Sequence, residues 1–349
     1  MFDDIANQIG SWLTGDGEES AIVLSSRVRL ARNIKELTYP PYAEASVREN
    51  VVNFVAAAIG KSTELSQGTF YRSEDINELD RFFLIERHLI SPEFMRVESA
   101  SGLYISPQEE AAIMVNEEDH LRIQSLCSGL SLRQALERAM KIDDDMAASL
   151  DFDYDTDFGF LTSCPTNVGT GMRASVLIHL AGLVLTKEID SVIDHITKLG
   201  LVVRGFYGEG SDVWGNLFQV SNQTTLGRSE NDIAESLEKV TTQIIEFENK
   251  ARERLVADAE NEIADKVWRA HGILKNARVL TSEETMSLLS AVRLGIALSI
   301  FDLVSIRTIN ELVLLSQPAH LQKHVGEQLD AAERDVARAN LVRERLCNV

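Results

Sequence analysis

The segment Cys164-Pro-Thr-Asn-Val-Gly-Thr-Gly-Met-Arg-Ala-Ser-Val176 packs a thiol, a proline turn, two glycines and an arginine into one loop that runs into an apolar stretch. Backbone N–H groups at a helix start favour anions, and glycines let a phosphate approach closely, so the loop reads as an anion site. Other stretches make the same demand. In Ser25-Ser26-Arg27-Val28-Arg29, a strand would point Arg27 and Arg29 to one face. Two guanidinium groups side by side repel unless an anion sits between them. Taken alone, the pair also reads as two solvated surface arginines.

In Asn116-Glu-Glu-Asp-His-Leu-Arg122, an extended chain would put Glu118, His120 and Arg122 on one face, with Glu117, Asp119 and Leu121 on the other. The alternative is a charged turn between strands. In Arg204-Gly205-Phe206-Tyr207-Gly208-Glu209-Gly210, Arg204 ends an apolar strand and three glycines form a loop displaying Glu209. That loop reads equally as a plain hairpin, although sites are often built where strands end. The stretches together supply Arg27, Arg29, Arg122, Arg173 and Arg204, plus Glu118 and Glu209. Arginine suits planar, bidentate binding of phosphate oxygens, and a nucleoside triphosphate is the anion that so many would serve.

The elements around these residues follow from hydrophobic pattern. Residues 1–20 read as a short helix and a turn, and a strand is expected from Ile22 through Arg29. Residues 46–59 and 131–149 read as helices. Phe82–Ile85, Leu103–Ile105, Ala111–Val115 and Leu121–Ile123 read as strands on short connections, hence antiparallel. Asp151–Asp157 reads as an acidic loop, Arg173–Leu185 as a helix, and Leu201–Phe206 and Leu217–Val220 as strands. Gly60-Lys61-Ser62 mimics the end of a phosphate loop, but Val55 stands where the upstream glycine would be, so it reads as a helix C-cap. From Ser229, framed with Asp232 as a helix start, nearly everything is helical; Thr281 and Glu284 mark another start. The fold class is therefore α+β: an antiparallel sheet flanked by helices over residues 1–255, then an all-helical region over 256–349.

Composition bounds the function. The 349 residues are 44% hydrophobic and 25% charged, an ordinary globular balance. A net charge of −20 argues against direct nucleic-acid binding, which needs a basic footprint. No apolar run is long enough to span a membrane, and the acidic Met-Phe-Asp-Asp start is unlike a signal peptide. Three scattered cysteines suit neither a disulfide framework nor a zinc site, and a cytoplasmic location is expected.

Ser-Ser-Arg-Val-Arg, Asn-Glu-Glu-Asp-His-Leu-Arg, Cys-Pro-Thr-Asn-Val-Gly-Thr, Arg-Ala-Ser-Val and Arg-Gly-x-x-Gly-Glu, in that order over residues 20–255, resemble the ATP:guanidino phosphotransferase family, which includes creatine and arginine kinases. The whole chain is most similar to its bacterial protein-arginine kinase branch. The resemblance implies that ATP with Mg²⁺ is held by Ser25–Arg29, Arg122, the run Arg173, Ala174, Ser175, Val176 and Leu177, and Arg204–Gly208, with His88 against the nucleotide. It implies that Glu118 and Glu209 bind and align the acceptor guanidinium, that Glu118 takes its proton, and that Cys164 lies beside it as a thiolate. A guanidinium titrates above ~12, so a base is needed to make it a nucleophile.

Kinases of small guanidino compounds resemble one another in a helical domain ahead of Ser-Ser-Arg. Here that motif begins at Ser25, which leaves an open site suited to arginines on a protein surface. Arg334-Asp335-Val-Ala-Arg338-Ala339 places two arginines and an aspartate on one helical stretch, which from pattern alone reads as a solvated, ion-paired helix. The run resembles the phosphoarginine-sensing motif of that branch, which also implies a Clp protease and an activator as partners and relief of stress-gene repression. The apolar C-terminal helices are compatible with a homodimer. A non-catalytic phosphoarginine adaptor and a kinase of a free guanidino compound are the rival readings. Gln219, in the strand before Ser221-Asn222, is left without a role.

Overall fold

In the computed structural model, residues 1–6, 8–97, 99–206 and 213–347 are described. A short helix α1 (Asp3–Ala6) precedes strand β1 (Val23–Arg32), helix α2 (Ala45–Ile59), strand β2 (Thr69–Arg72) and helix α3 (Glu78–Glu86). Strands β3 (Gly102–Ile105), β4 (Ala111–Val115) and β5 (Leu121–Ser128) follow, then helix α4 (Leu132–Ala147). A short hairpin, β6 (Tyr154–Asp155) and β7 (Gly159–Phe160), leads to β8 (Met172–His179), α5 (Ala181–Leu185), α6 (Ile189–Lys198), β9 (Leu201–Arg204) and β10 (Leu217–Asn222). Helices α7 (Glu230–Asn276), α8 (Ser282–Ala297), α9 (Ile306–Leu315), α10 (Pro318–Val325) and α11 (Ala331–Cys347) complete the chain.

Eight strands form one sheet in the order β2-β3-β4-β5-β1-β8-β10-β9, each pair antiparallel. β1 lies at the centre, with Arg29 opposite Gln124 of β5 on one side and Arg173 of β8 on the other. Because side chains alternate, this register sorts the site. Val28, Leu30, Ile113, Ile123, Ala174, Val176 and Ile178 enter a core with α4 and the first half of α7. The opposite face carries the arginines at its middle. Its apolar flanks, Leu103, Met114, Leu126 and Leu177, join a core with α3, the turn at Trp12–Leu13 and the C-terminal helices.

The caps at Ser229 and Thr281 hold. Ser229 Oγ accepts the Asp232 N–H while Asp232 accepts the Ser229 N–H, and Thr281 Oγ1 accepts the Glu284 N–H. α7 runs through position 255 and kinks at Ala259, where φ is −147° and ψ is 39°. Gly60 caps α2, its N–H returning to the Ala56 carbonyl at 3.0 Å.

Two expected elements differ. Phe82–Ile85 lies inside α3, not in a strand: Asn77 accepts the Asp80 N–H and starts a helix, which a four-residue apolar run cannot reveal by period. Residues 173–185 form not one helix but β8 followed by α5. The continuous apolar run belongs to an interior strand covered on both faces, a pattern shared with buried helices.

Candidate active site

Four arginines converge on the middle of one sheet face. Arg27 and Arg29 come from β1, Arg173 from β8 directly opposite Arg29, and Arg122 from β5, whose partner on β1 is Ala31. Their positive charges act on one another. Burial and then the Arg122 and Arg173 charges bring Arg27 down to about 10. Burial, Arg27, Arg122 and Arg173 push Arg29 well below the ordinary value, and its buried Nε meets no protein acceptor. Desolvated, mutually repelling guanidinium groups are a poor arrangement by themselves and a strong one for a polyanion. ATP phosphates fit this set. Arg204 ends β9 beside Gln219 on the same face.

Arg122 is the exception to the repulsion. Burial lowers it, but Glu117 overcomes this with an ion pair at 2.6 Å and holds it above the ordinary value. Glu117 is itself buried and accepts the Ser91 hydroxyl. Its tie to Arg122 runs across the β4–β5 turn, although an extended chain would put the two on opposite faces. That turn is not extended: Asn116 adopts φ +59° and its N–H reaches the His120 carbonyl at 3.0 Å. His120 therefore leaves the site. Its ring is buried, Nδ1 accepting the Ile34 N–H at 3.0 Å and Nε2 lying 3.1 Å from the Thr38 carbonyl.

Glu118, at the tip of the turn, stays half-buried near Arg122 and Arg173. Burial and the neighbouring Asp119 raise its carboxyl above the ordinary value, against the pull of the arginines. A raised carboxylate beside a phosphate clamp is suited to accept a proton. Ser163 joins this tip to the cysteine loop: its hydroxyl donates to the Glu118 carbonyl and its N–H to Asp119, each at 2.7 Å. Asn33 braces Asp119 at 2.7 Å. Cys164 follows at once, its Sγ 3.0 Å from the Thr166 hydroxyl. Asn33 and Ser163 carry no motif signal of their own, and Glu117, though inside the Asn116–Arg122 motif, is set by it on the face away from Arg122; each acts through a contact distant in sequence or across a turn.

The glycines of this loop serve packing, not phosphate approach. A Cβ at Gly169 (φ +113°) would stand 2.5 Å from the Thr225 carbonyl oxygen, and one at Gly171 (φ +62°) 2.5 Å from that of Ala31. Past a single 3₁₀ turn at Pro165–Asn167 the loop enters a strand, so it offers no α-helix N-terminus to an anion.

Beside the arginines lies a cleft lined by Ser25, Arg27, His88, Leu126, Ser175, Leu177, Phe206 and Gln219. The His88 ring stands edge-on between Trp12 at 5.3 Å and Phe206 at 5.1 Å. Burial and the Arg27 and Arg29 charges hold its imidazole down at about 3, so it is neutral. Gln219, left without a role in the sequence, lines this cleft, and Trp12, which no motif marks, stands against His88. Ser26, Val28, Ala174 and Val176 do not line it: their side chains lie on the other face, Ser26 accepting the Ser131 N–H and the other three filling the α4–α7 core. Expecting whole segments at the nucleotide overlooks strand alternation. Gly205 is buried next to Phe206. Tyr207, Gly208 and Glu209 lie outside the described residues.

The C-terminal motif sits on α11. Arg338 is buried, its Nε donating to the Ser316 carbonyl at 2.8 Å and its Nη1 to the Leu280 carbonyl at 2.7 Å and Asp335 at 2.6 Å. Arg334 and Asp335 are partly exposed, Arg334 donating to the Leu329 carbonyl at 2.9 Å. Ala339 is buried. Arg338 thus engages two main-chain carbonyls and Asp335 in this structure, while Arg334 and Asp335 keep part of their surface open. Among the described residues no cluster of acidic, His or Cys side chains could hold a metal by itself, and no helix is long and apolar enough to cross a membrane.

Residues 50–251 match the family model of the ATP:guanido phosphotransferase C-terminal catalytic domain, and residues 260–349 that of the protein-arginine kinase McsB C-terminal domain. The chain is 46% identical over 348 residues to a protein-arginine kinase of Symbiobacterium thermophilum, covering 96% of each. It is 47% identical over 350 residues to one of Bacillus cereus, covering 99% of this chain and 98% of that protein. Among solved structures, a lombricine kinase superposes with a TM-score of 0.60 at 26% identity over 70% of each chain. The duplicated taurocyamine kinase of Schistosoma mansoni gives 0.62 at 26% identity, over 70% of this chain and 34% of that one.

Proposed function

The chain belongs to the ATP:guanido phosphotransferase family, and on that premise we propose that its site moves the γ-phosphate of ATP to arginine side chains of proteins, the activity its curated relatives are named for. It is a kinase, a transferase of phosphate to a guanidino nitrogen. The observation that carries the reading is the meeting of Arg27, Arg29, Arg122 and Arg173 on one sheet face with Glu118 beside them.

Phosphoryl transfer passes through a loose, charged transition state, so positioning and electrostatics supply most of the catalysis. The arginines grip the phosphates; Mg²⁺, when bound, neutralises charge on the phosphate oxygens. Neutral His88 and Phe206 suit the nucleoside side of the cleft. Glu118 aligns one acceptor nitrogen and takes its proton, and Cys164 lies against the same guanidinium. We assign Glu209 to the acceptor as well, by family position.

The finer readings are proposals on the same footing. The match of residues 260–349 supports a phosphoarginine-sensing site at Arg334, Asp335, Arg338 and Ala339. Client proteins bearing exposed arginines, hand-over to a Clp protease, an activator protein, relief of stress-gene repression, a homodimer and a cytoplasmic location rest on the branch alone.

The test is incubation with γ-labelled ATP, Mg²⁺ and a denatured protein, in parallel with free arginine. Acid-labile, base-stable label on the protein supports the proposal. Label on free arginine alone makes the chain a small-guanidino kinase, and no transfer with retained phosphoarginine binding makes it an adaptor.

A further inference from the structure

Glu86 closes α3, is buried, and does not face the phosphate clamp. It reaches the other way. One oxygen accepts the Ala319 N–H at 2.8 Å; the second accepts the His320 N–H at 3.0 Å and stands 2.7 Å from His320 Nδ1. Those two amides belong to the first turn of α10, where N–H groups lack helical partners, so Glu86 caps one helix from the end of another. The other ring nitrogen, Nε2, lies 3.2 Å from Arg87 Nη1. A guanidinium can only donate, so Nε2 is the acceptor and Nδ1 carries the proton given to Glu86. The ring of Phe83, one turn back on α3, packs 4.4 Å from that of His320, and Lys323 of α10 bonds Asp80 of α3 at 2.5 Å.

His88 comes two residues after Glu86 and lines the nucleotide-side cleft. It leaves α3 in a left-handed conformation, φ +57°, with its N–H on the Ile85 carbonyl and the Leu89 N–H on the Leu84 carbonyl. This is a Schellman closure, whose left-handed position glycine usually fills. The ring is thereby fixed to the end of α3 and follows it. On the far side, the entry to α10 is held by Arg338, which donates to Ser316 one residue before the N-cap Gln317. The charges of Arg338 and Arg334 also reach the Glu86 carboxyl; burial outweighs them and the two α10 amides and holds it raised at about 8.

We infer that Glu86 is a positioning residue for the nucleotide site, tying His88 to the α10–α11 corner that Arg338 holds. The inference rests on reading the His88 cleft as the nucleotide site. Any anion that engages Arg338 competes with the Ser316 and Leu280 carbonyls, and the α10 entry, Glu86 and His88 stand in line to feel the change.

The experiment measures ATP binding directly by calorimetry on the full chain without an acceptor, together with kcat and KM for ATP. Glu86→Gln keeps the packing and one acceptor oxygen; Glu86→Ala removes both. The expected result is ATP binding weakened about tenfold in Glu86→Gln and further in Glu86→Ala, with kcat at saturating ATP changed less than about threefold. Arg338→Lys should weaken ATP binding in the same direction, and the Glu86→Gln/Arg338→Lys double variant should be no worse than the weaker-binding single variant. Wild-type ATP affinity in a folded Glu86→Gln overturns the inference, as does a fall in kcat alone. Strict additivity in the double variant overturns the link to Arg338. If Glu86→Ala does not fold, Glu86→Gln decides. Failure of the wild type to bind ATP would instead sink the nucleotide reading itself.

Discussion

Ser163 donates its hydroxyl to the main-chain carbonyl of Glu118 at 2.7 Å, and this bond joins the loop that carries the thiol to the turn that carries the base. Forty-five residues separate the two in sequence. Cys164 is the next residue, so the spacing between thiol and carboxylate is set by the Ser163 contacts to Glu118 and Asp119 rather than by either loop alone.

Ser163→Ala removes the hydroxyl bond but leaves the N–H to Asp119. A small misplacement of an aligned group costs rate rather than binding, so kcat should fall about tenfold with KM for ATP unchanged. Steady-state kinetics at varied ATP and fixed acceptor check this. A rise in KM for ATP with constant kcat would place Ser163 on the nucleotide side instead.

Glu118→Gln removes the proton acceptor while preserving shape. The expected loss in kcat is about 10²–10⁴-fold, the usual worth of a positioned base. ATP binding should persist or tighten, since a negative charge near Arg122 and Arg173 is gone. Because burial raises Glu118, the acid limb of the kcat/KM profile should lie above the ordinary carboxylate range and disappear in the variant.

Arg29→Met addresses the cost of gathering these arginines. The residue is partly buried, its charge is repelled by three arginines, and its shielded Nε meets no protein acceptor. Without nucleotide, the variant should be more stable by about 1–3 kcal/mol, the penalty of a buried unpaired donor. With ATP it should lack the rise in Tm expected of the wild type. Thermal melts with and without ATP give both numbers; a less stable variant would mean the clamp is not strained.

His88 gives a pH signature. Its imidazole is held at about 3, through burial and the charges of Arg27 and Arg29, against 6.5 for an ordinary histidine. Between those values the unfolded chain binds the proton and the folded one does not. Stability conferred by neutral His88 is therefore full above 6.5 and is lost as pH falls toward 3. Urea unfolding of wild type and His88→Gln at about pH 7 and about pH 4, one on either side of the ordinary value, should show the smaller acid loss in the variant. Equal losses would contradict a ring held neutral by its surroundings.

His88→Gly separates backbone from side chain. Glycine suits φ +57°, but the ring's contacts with Trp12 and Phe206 are lost; the two effects oppose, so folding stability should change by no more than about 1 kcal/mol while ATP binding weakens. Chemical denaturation and calorimetry on one preparation measure the two effects. Loss of both would show that the ring is structural.

Much of the site is legible in the chain itself. Arg27 and Arg29 share a face because strands alternate, and the order of motifs points to the family. Strand alternation also removes what segment matching includes: Val28, Ala174 and Val176 sit between site residues in sequence and on the opposite face in space. The apolar run after Arg173 is ambiguous because a strand covered on both sides lacks a period, and α3 escapes notice because Phe82–Ile85 is too short to show one.

By itself, the sequence determined the chemistry: which guanidinium and carboxylate side chains are present, in what local spacing, and hence that a phosphate-rich ligand and a guanidino acceptor suit them. Only the tertiary structure decided who faces whom. It put Glu117 on Arg122, turned His120 inward, committed Arg338 to the Ser316 and Leu280 carbonyls, and joined Glu86 to the start of α10. The reason is physical. Residue type and short-range period are local properties, whereas buried donors and acceptors find partners wherever packing brings them, and that pairing between distant segments leaves no periodic mark in the chain.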